Sequence, residues 1–111
     1  MNRLRKNSGF KRVYAKGRSC PDRLAVLCYL PTGEDDTKVG FSVSKKIGCA
    51  VVRNKTKRRM REIVRAISGD IKPGYDIVII ARKRTAEAEF SDMSRGIRNL
   101  FRRADLLCSR K

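Results

Sequence analysis

Two runs of consecutive apolar residues place the strongest constraint on how this chain folds. Residues 24–30 and 77–80 are apolar almost without interruption. Both runs have the length of a strand, and an apolar run without alternation is expected of a strand that is covered on both faces. These segments predict two buried strands, at residues 24–30 and 75–81, in the interior of a sheet.

A third strand is predicted at residues 38–43, where apolar side chains alternate with polar or small ones. Residues 31–33 and the acidic residues 34–36 have the composition of a turn. The sequence therefore predicts that strands 24–30 and 38–43 pair as a hairpin. We interpret the acidic cluster at its tip as a solvated loop rather than a magnesium site, because turn residues surround it.

Three segments show helical periodicity. In the first, Asn7 or Ser8 can cap a short helix, and Gly17 ends it. The second segment runs from Val52 to about Ser68, and the third covers residues 86–107. Apolar residues share one side of the second helix: Val52, Thr56, Met60, Ile63, Val64 and Ile67. A second apolar row is predicted on the third helix: Phe90, Met93, Ile97, Leu100, Phe101, Ala104 and Leu107.

The element order helix, strand, strand, helix, strand, helix predicts an α+β fold, a two-layer sandwich around a mixed sheet. The length of 111 residues suits one domain. We place that domain at residues 8–108, after a basic N-terminal arm (1–7) and before a short tail (109–111).

The charge balance points to a polyanionic partner. Lys and Arg total 28 against 11 Asp and Glu, a formal net charge of +17, and such an excess repels itself unless a polyanion is bound. No stretch approaches the roughly 20 apolar residues that cross a bilayer, and no signal peptide is evident. We expect a cytoplasmic protein without a membrane partner. Its four scattered cysteines and the absence of His disfavour a metal site.

The densest cluster of charge lies at residues 45–65, which contain nine cations and one acid, Glu62. The cations at positions 57, 58, 61 and 65 are spaced so that they share one face of a helix. A basic helix face of this kind can follow a phosphate backbone. A solvated helix face is the ordinary alternative, but one carboxylate is too few for a salt-bridge pattern. The predicted RNA-binding residues are Lys45, Lys46, Arg53, Asn54, Lys55, Lys57, Arg58, Arg61 and Arg65.

A second candidate site combines aromatic rings with cations. Phe10 and Tyr14 are one helical turn apart, and Arg12 lies between them. Such rings can stack on the bases of a single strand. The pattern alone slightly favours the alternative that both rings anchor the helix to the sheet, because small domains bury most of their large aromatics.

The residue types give little support to catalysis by this chain alone. A Ser or Cys triad of the usual form needs His, and no pair of carboxylates for two-metal chemistry lies near the basic helix. If the chain takes part in a cleavage reaction, another component should supply the chemistry.

The sequence closely resembles the bacterial ribonuclease P protein family. The resemblance is carried by residues 45–48 (Lys-Lys-Ile-Gly), 50–55 (Ala-Val-Val-Arg-Asn-Lys) and 57–62 (Lys-Arg-Arg-Met-Arg-Glu). It extends upstream to residues 10–14 and 39–44, and downstream to residues 76–82.

The resemblance implies a fold and a function. The basic helix would make a left-handed crossover between parallel strands, against the general right-handed preference. The chain would be a cytoplasmic, monomeric protein subunit that assists a catalytic RNA. That RNA, which would hold most of the Mg²⁺, would remove the 5′ leader of precursor tRNA, with no organic cofactor.

The resemblance also implies roles for particular residues. Arg53, Asn54 and Lys55 match a motif that meets the RNA subunit, although the family more often has Arg at the third position. Phe10 and Tyr14 match the lining of a cleft for the leader, to which we add Arg12. The alternatives are a ribosomal or other structural RNA-binding protein and a nuclease that is active without RNA.

Overall fold

A computed structural model of the chain describes residues 2–4 and 7–108. The tail 109–111 and residues 1, 5 and 6 of the predicted arm lie outside the described residues. The described part contains the following elements in order: β1 (Asn2–Arg3), α1 (Asn7–Lys16), β2 (Arg18–Pro21), β3 (Ala25–Pro31), β4 (Lys38–Ser42), α2 (Ala50–Ile67), β5 (Tyr75–Ala81), α3 (Lys83–Glu87) and α4 (Phe90–Arg103). Short 3-10 turns at Lys45–Ile47 and Ser68–Asp70 flank α2.

The strands form one mixed sheet in the order β1-β4-β5-β3-β2. β4 and β5 are parallel neighbours, and α2 is the crossover between them. β3 is antiparallel to both β5 and β2. The α+β class and the mixed sheet are confirmed, while the left-handed sense of the crossover stays a prediction. The short strands β1 and β2 and the helix α3 are additions that the sequence did not predict.

The predicted hairpin of β3 and β4 is wrong, because β5 lies between these two strands. All seven residues of β5 pair with β3, and five of them also pair with β4. Residues 77–79 are fully buried, which suits a strand with a neighbour on each side. The turn composition of residues 31–36 indicated a connection but not which strands become neighbours.

Helices cover both faces of the sheet. On one face, Leu27, Ile77 and Ile79 pack with the apolar sides of α2 and α4 in the larger core. On the other face, Cys28 and Val78 pack with Val13 of α1. Successive residues of a strand point to opposite faces, so α1 lies across the sheet from α2 and α4. This second face carries one helix and is less completely covered.

The predicted helix at residues 86–107 is wrong in extent. α3 ends at Glu87, Ala88 and Glu89 are extended, and α4 then begins at Phe90. After Arg103 the chain reaches Asp105, whose φ of 57° lies in the left-handed region, and Leu107 forms a bridge with Ile71. The predicted apolar row is confirmed in its centre, where Met93, Ile97, Leu100 and Phe101 are fully buried.

No helix in the described ranges has the length and apolarity needed to span a bilayer.

Gly40 of β4 leaves room for the Phe10 ring of α1 against the sheet. A Cβ atom there would lie 2.5 Å from Cζ of Phe10 and 3.0 Å from the backbone oxygen of Leu4. We expect Gly40→Ala to displace the Phe10 ring and to reduce the free energy of unfolding by about 1–3 kcal/mol. Chemical denaturation measures this change. Gly69→Ala is the matched control, because its Cβ would meet nothing within 4 Å; equal stability of the two variants would contradict the packing described here.

Candidate nucleic-acid interface

The sequence of α2 separates an apolar side from a basic side. Cys49 is the extended residue before the helix, and the backbone N–H of Arg53 donates to its carbonyl over 2.9 Å. The predicted apolar row is confirmed from Thr56 onward: Thr56, Met60, Ile63, Val64 and Ile67 are buried. Val52 remains 37% exposed, so this row begins one turn later than predicted. The burial of that row turns the cationic side of α2 away from the sheet.

The predicted RNA-binding residues of α2 fall into two groups. Asn54, Lys55, Arg58 and Arg65 are exposed. Arg53, Lys57 and Arg61 are partly exposed and lie at the margin of the helix face rather than at its centre. The Nε atoms of Arg53 and Arg61 are buried without a hydrogen-bond partner among the described residues. These two side chains therefore lie along the protein surface, and their stems contribute packing as well as charge.

The cations of α2 are not neutralised by acids of the described residues. The ion pairs between described residues lie elsewhere: Arg12–Asp76, Lys38–Glu34, Lys72–Asp105, Arg95–Asp92 and Arg103–Asp22. A row of like charges on one helix face is destabilising when it has no counter-charge. The α2 face therefore has the electrostatic character of a surface that binds a polyanion.

Further cations lie at the edge of the sheet where α2 begins. The turn Lys45–Ile47 contacts both α2 and α3, and Lys45 and Lys46 are exposed. Lys83 and Arg84 on α3 are exposed beside this turn. Our sequence reasoning missed these two residues. The run Arg82-Lys83-Arg84 directly after a predicted strand was the signal that could have found them.

The two rings of α1 differ in how the fold uses them. Phe10 is partly buried over Gly40 and packs against the core beneath α1. Tyr14 is 47% exposed. The centroid of its ring lies 6.4 Å from the centroid of the Phe10 ring, and the two ring planes meet at 75°. Phe10 thus anchors α1 to the sheet, whereas Tyr14 keeps an accessible ring.

Next to α1, part of the sheet face remains open. Ser42, Ile80 and Val26 are register neighbours on β4, β5 and β3, and all three are partly exposed. They lie at the end of β4 and β5 from which the chain continues into the Lys45–Ile47 turn and α3. We call this partly exposed surface beside α1 the α1 cleft, after the leader-binding cleft that the sequence resemblance implies. It reaches the edge of the sheet from which the chain continues toward the first turn of α2.

Arg12 is tied to the fold by a buried acid. Its guanidinium group donates to Oδ2 of Asp76 over 2.9 Å, and the Asp76 side chain is only 3% exposed. A buried carboxylate without a partner is costly, so Arg12 stabilises the contact between α1 and β5. About half of the Arg12 side chain remains exposed, but this ion pair reduces the charge that it offers to a ligand.

Cys49 has an unusual environment for a thiol. Its sulfur makes no cap hydrogen bond of standard geometry, yet the backbone N–H groups of Val52 and Val51, and then the charge of Arg53, lower the pKa of this exposed thiol. By contrast, burial raises the pKa of the Cys28 thiol. The cysteine that precedes α2 is therefore the more reactive of these two.

Comparison with known proteins identifies the family. The family model described as Ribonuclease P matches residues 1–105. The ribonuclease P protein component of Clostridium acetobutylicum is 44% identical over 108 residues, which cover 96% of this chain and 91% of that protein. The corresponding protein of Caldanaerobacter subterraneus is 40% identical over 106 residues, with coverage of 96% and 91%. The chain belongs to the ribonuclease P protein family.

Solved structures of the family support the fold described above. The ribonuclease P protein of Staphylococcus aureus superposes with a TM-score of 0.88 at 33% identity, covering 96% of this chain and 97% of that one. The protein from Thermotoga maritima gives a TM-score of 0.84 at 34% identity, with coverage of 93% and 97%. The resemblance stated from the sequence is therefore confirmed, and the fold of the family holds over nearly the whole chain.

The described residues do not gather a metal site of their own. No group of three or more Cys, Asp or Glu side chains in residues 2–4 and 7–108 is placed to hold a metal ion. The acidic residues 34–36 form part of the connection between β3 and β4.

The thiol environments predict an order of alkylation. Cys49 should react with iodoacetamide well before Cys28, and its rate should reach half of its maximum at a lower pH than that of an unperturbed cysteine, because its pKa is lowered. The physical reason is that a lowered pKa increases the thiolate fraction near pH 7. Peptide mass spectrometry at several pH values measures both sites, and Cys49→Ser identifies the modified peptide. Simultaneous labelling of the two cysteines would contradict this description.

Proposed function

We propose that this chain binds the catalytic RNA of ribonuclease P and the 5′ leader of precursor tRNA, and so assists removal of the leader. Membership of the family supports a role as a ribonuclease P subunit. The observation that carries the RNA-binding part is the α2 face, whose cations are exposed or partly exposed and form no ion pair with a described acid. The complex would act in the bacterial cytoplasm, and the protein would be monomeric before it binds RNA.

The α2 face suits the backbone of a folded RNA. Its outward residues Arg58 and Arg65 lie two helical turns apart, about 10 Å along the axis, and Arg side chains offer planar, multi-donor contacts to phosphate. The turn with Lys45 and Lys46 extends this charge beyond the first residue of α2. Lys55 keeps the positive charge of the family motif but lacks the guanidinium fork, so its contact with phosphate is a simple attraction.

The α1 cleft suits a single strand. Tyr14 offers an accessible ring on which a base can stack, and Val26 and Ile80 supply partly exposed apolar surface beside it. Lys11 and Lys16 are exposed on the same helix and can attract the backbone of the strand. Phe10 holds α1 in place, and Arg12 does so through Asp76.

The proposal divides the work between protein and RNA. The Mg²⁺ that activates the hydrolytic water would be held mainly by the RNA subunit. This chain, which has no His, would bind the two RNAs, hold them in a fixed relation and neutralise their repulsion. Neutralisation by Arg and Lys replaces part of the counterion atmosphere that free RNA needs, so the protein should lower the Mg²⁺ concentration required for cleavage.

A reconstitution assay tests this division. Precursor tRNA is incubated at low Mg²⁺ with a bacterial ribonuclease P RNA alone, with this protein alone, and with both. We expect cleavage at the 5′ end of the mature tRNA only when both are present, because the RNA carries the chemistry and the protein supplies charge neutralisation. Gel analysis of the released leader measures the result.

The outcomes of this assay separate the alternatives. Cleavage by the protein alone would identify a nuclease that acts without RNA. Unchanged cleavage by RNA with and without the protein would indicate an RNA-binding protein with no processing role. Either result contradicts the proposed function.

A substitution at Tyr14 tests the α1 cleft. Tyr14→Ala should lower the affinity of the reconstituted complex for precursor tRNA relative to mature tRNA by about 1–3 kcal/mol, roughly 5- to 150-fold, because one stacked base loses its ring. Tyr14→Phe is the matched control and should retain the preference. Filter binding with both ligands measures the ratio. An equal loss for precursor and mature tRNA would argue against a leader site at this helix.

A further inference from the structure

α4 carries a second row of cations that the α2 face does not include. Arg95, Arg98 and Arg102 are exposed, and each lies two residues from a buried side chain, either Met93 or Leu100. Two residues correspond to about 200° around a helix axis, so all three arginines point away from the sheet. They occupy two successive turns of α4.

The close packing of α4 fixes this orientation. A Cβ atom at Gly96 would lie 2.4 Å from Cδ2 of Leu24, so the side of α4 that carries Gly96 is held against the start of β3. Around the same helix, Asp92, Arg95, Arg98, Asn99 and Arg102 line a shallow concavity of about 570 Å³ together with Gly96. The packing of Leu24 against Gly96 therefore fixes the rotation of α4 and the side of the helix on which this concavity lies.

The charges of this row are only partly compensated. Arg95 pairs with Asp92 over 3.5 Å on the exposed helix surface, and such surface pairs contribute little. Arg98 and Arg102 form no ion pair with any residue in the described ranges, and they are four positions apart, where like charges destabilise a helix. A row of this kind is electrostatically unfavourable in the free protein and favourable against a polyanion.

α2 and α4 present their rows on the same side of the molecule. Both helices follow the carboxyl ends of the parallel strands β4 and β5, contact one another, and bury their apolar sides in one core. The segments that follow the two helices also meet, because the backbone N–H of Lys72 donates to the carbonyl of Leu106 over 2.8 Å. The two helices therefore run side by side with Arg58 and Arg65 on one and Arg95, Arg98 and Arg102 on the other.

We propose that α4 is a second phosphate-binding surface, at which Arg98 and Arg102, with Arg95 and Asn99, hold the backbone of the catalytic RNA while α2 holds another segment of the same RNA. This proposal rests on the proposed function, because it takes the ribonuclease P RNA as the occupant. The occupant is argued from charge complementarity and from the continuity of this surface with the α2 face. Arg98 and Arg102 would make the main phosphate contacts, and Asn99 supplies an uncharged hydrogen-bonding group between them.

The test compares three double variants with equal loss of charge. The α4 variant is Arg98→Gln with Arg102→Gln, and the α2 variant is Arg58→Gln with Arg65→Gln. The control is Arg18→Gln with Arg23→Gln, whose side chains are exposed near β2 and form no ion pair with a described residue. Circular dichroism and thermal melting establish that each variant is folded.

The readouts are binding of a bacterial ribonuclease P RNA across a salt series and binding of a leader oligonucleotide. We expect the α4 variant to bind the catalytic RNA roughly 10- to 30-fold more weakly at about 0.1 M salt, with a log-log salt slope smaller by about 1.4–1.8 for two lost contacts. Leader binding should be unchanged, because the α1 cleft lies on the opposite face of the sheet. Nuclease footprinting should show the α4 and α2 variants losing protection at different segments of the RNA.

The outcomes separate this inference from the proposed function. If the α2 variant loses affinity while the α4 variant behaves like the control, the α4 surface is refuted and the proposed function stands. If neither variant differs from the control, both are refuted. If the α4 variant loses affinity equally for the leader and for the catalytic RNA, the effect is one of general charge, and this result would also overturn the inference.

Discussion

The pairing of β5 with both β4 and β3 is the constraint on which the rest of the structure depends. Because β4 and β5 are parallel neighbours, the chain between them must return across a face of the sheet, and α2 makes that return. The burial of residues 77–79 fixes β5 in the interior. The apolar side of α2 is therefore held toward the sheet and its cations are held outward. Loss of this pairing would remove the support of the basic helix and of both apolar cores together.

Arg12 on one face of the sheet and the outward cations of α2 and α4 on the other differ in whether they pair with an acid. On the α1 side, the cation Arg12 is paired with a buried acid and serves the contact between helix and strand. On the other side, the outward cations of α2 and two arginines of α4 have no acid among the described residues to pair with. A chain with a net charge of +17 thus pairs some cations with acids, as Arg12 does, and leaves rows of others uncompensated. The proposed RNA binding would offset the cost of that repulsion.

Local patterns in the sequence predicted the elements better than their arrangement. Apolar runs and helical periodicity located β3, β5 and α2 because burial alone produces those patterns. They did not identify the neighbours of each strand, since the partner of β4 was decided by the crossover and not by the turn at residues 31–36. The break between α3 and α4 was also missed, because Ala88 and Glu89 are compatible with a helix and only tertiary packing makes them extended.

For the candidate site, the sequence likewise predicted which side of α2 is basic but not how far each side chain is exposed. The helical wheel of α2 separated Arg58 and Arg65 from Met60 and Ile63, as the structure confirms. It placed Lys57 and Arg61 with the outward group, although both side chains are only partly exposed. The different roles of Phe10 and Tyr14 were also hidden, because they depend on the absence of a side chain at Gly40, on a strand distant in sequence.

The placement of the two surfaces explains how one small domain could hold two RNAs at once. The α1 cleft and the basic rows of α2 and α4 lie on opposite faces of one sheet, so a strand in the cleft does not compete with a folded RNA against the helices. Within the described residues, the two surfaces approach each other at the edge that carries Ser42, the Lys45–Ile47 turn and the first turn of α2. That edge is where a strand leaving the cleft would approach an RNA bound by Arg53. Because β4 and α2 are joined by a short connection, the sheet would set the distance between the two proposed ligands.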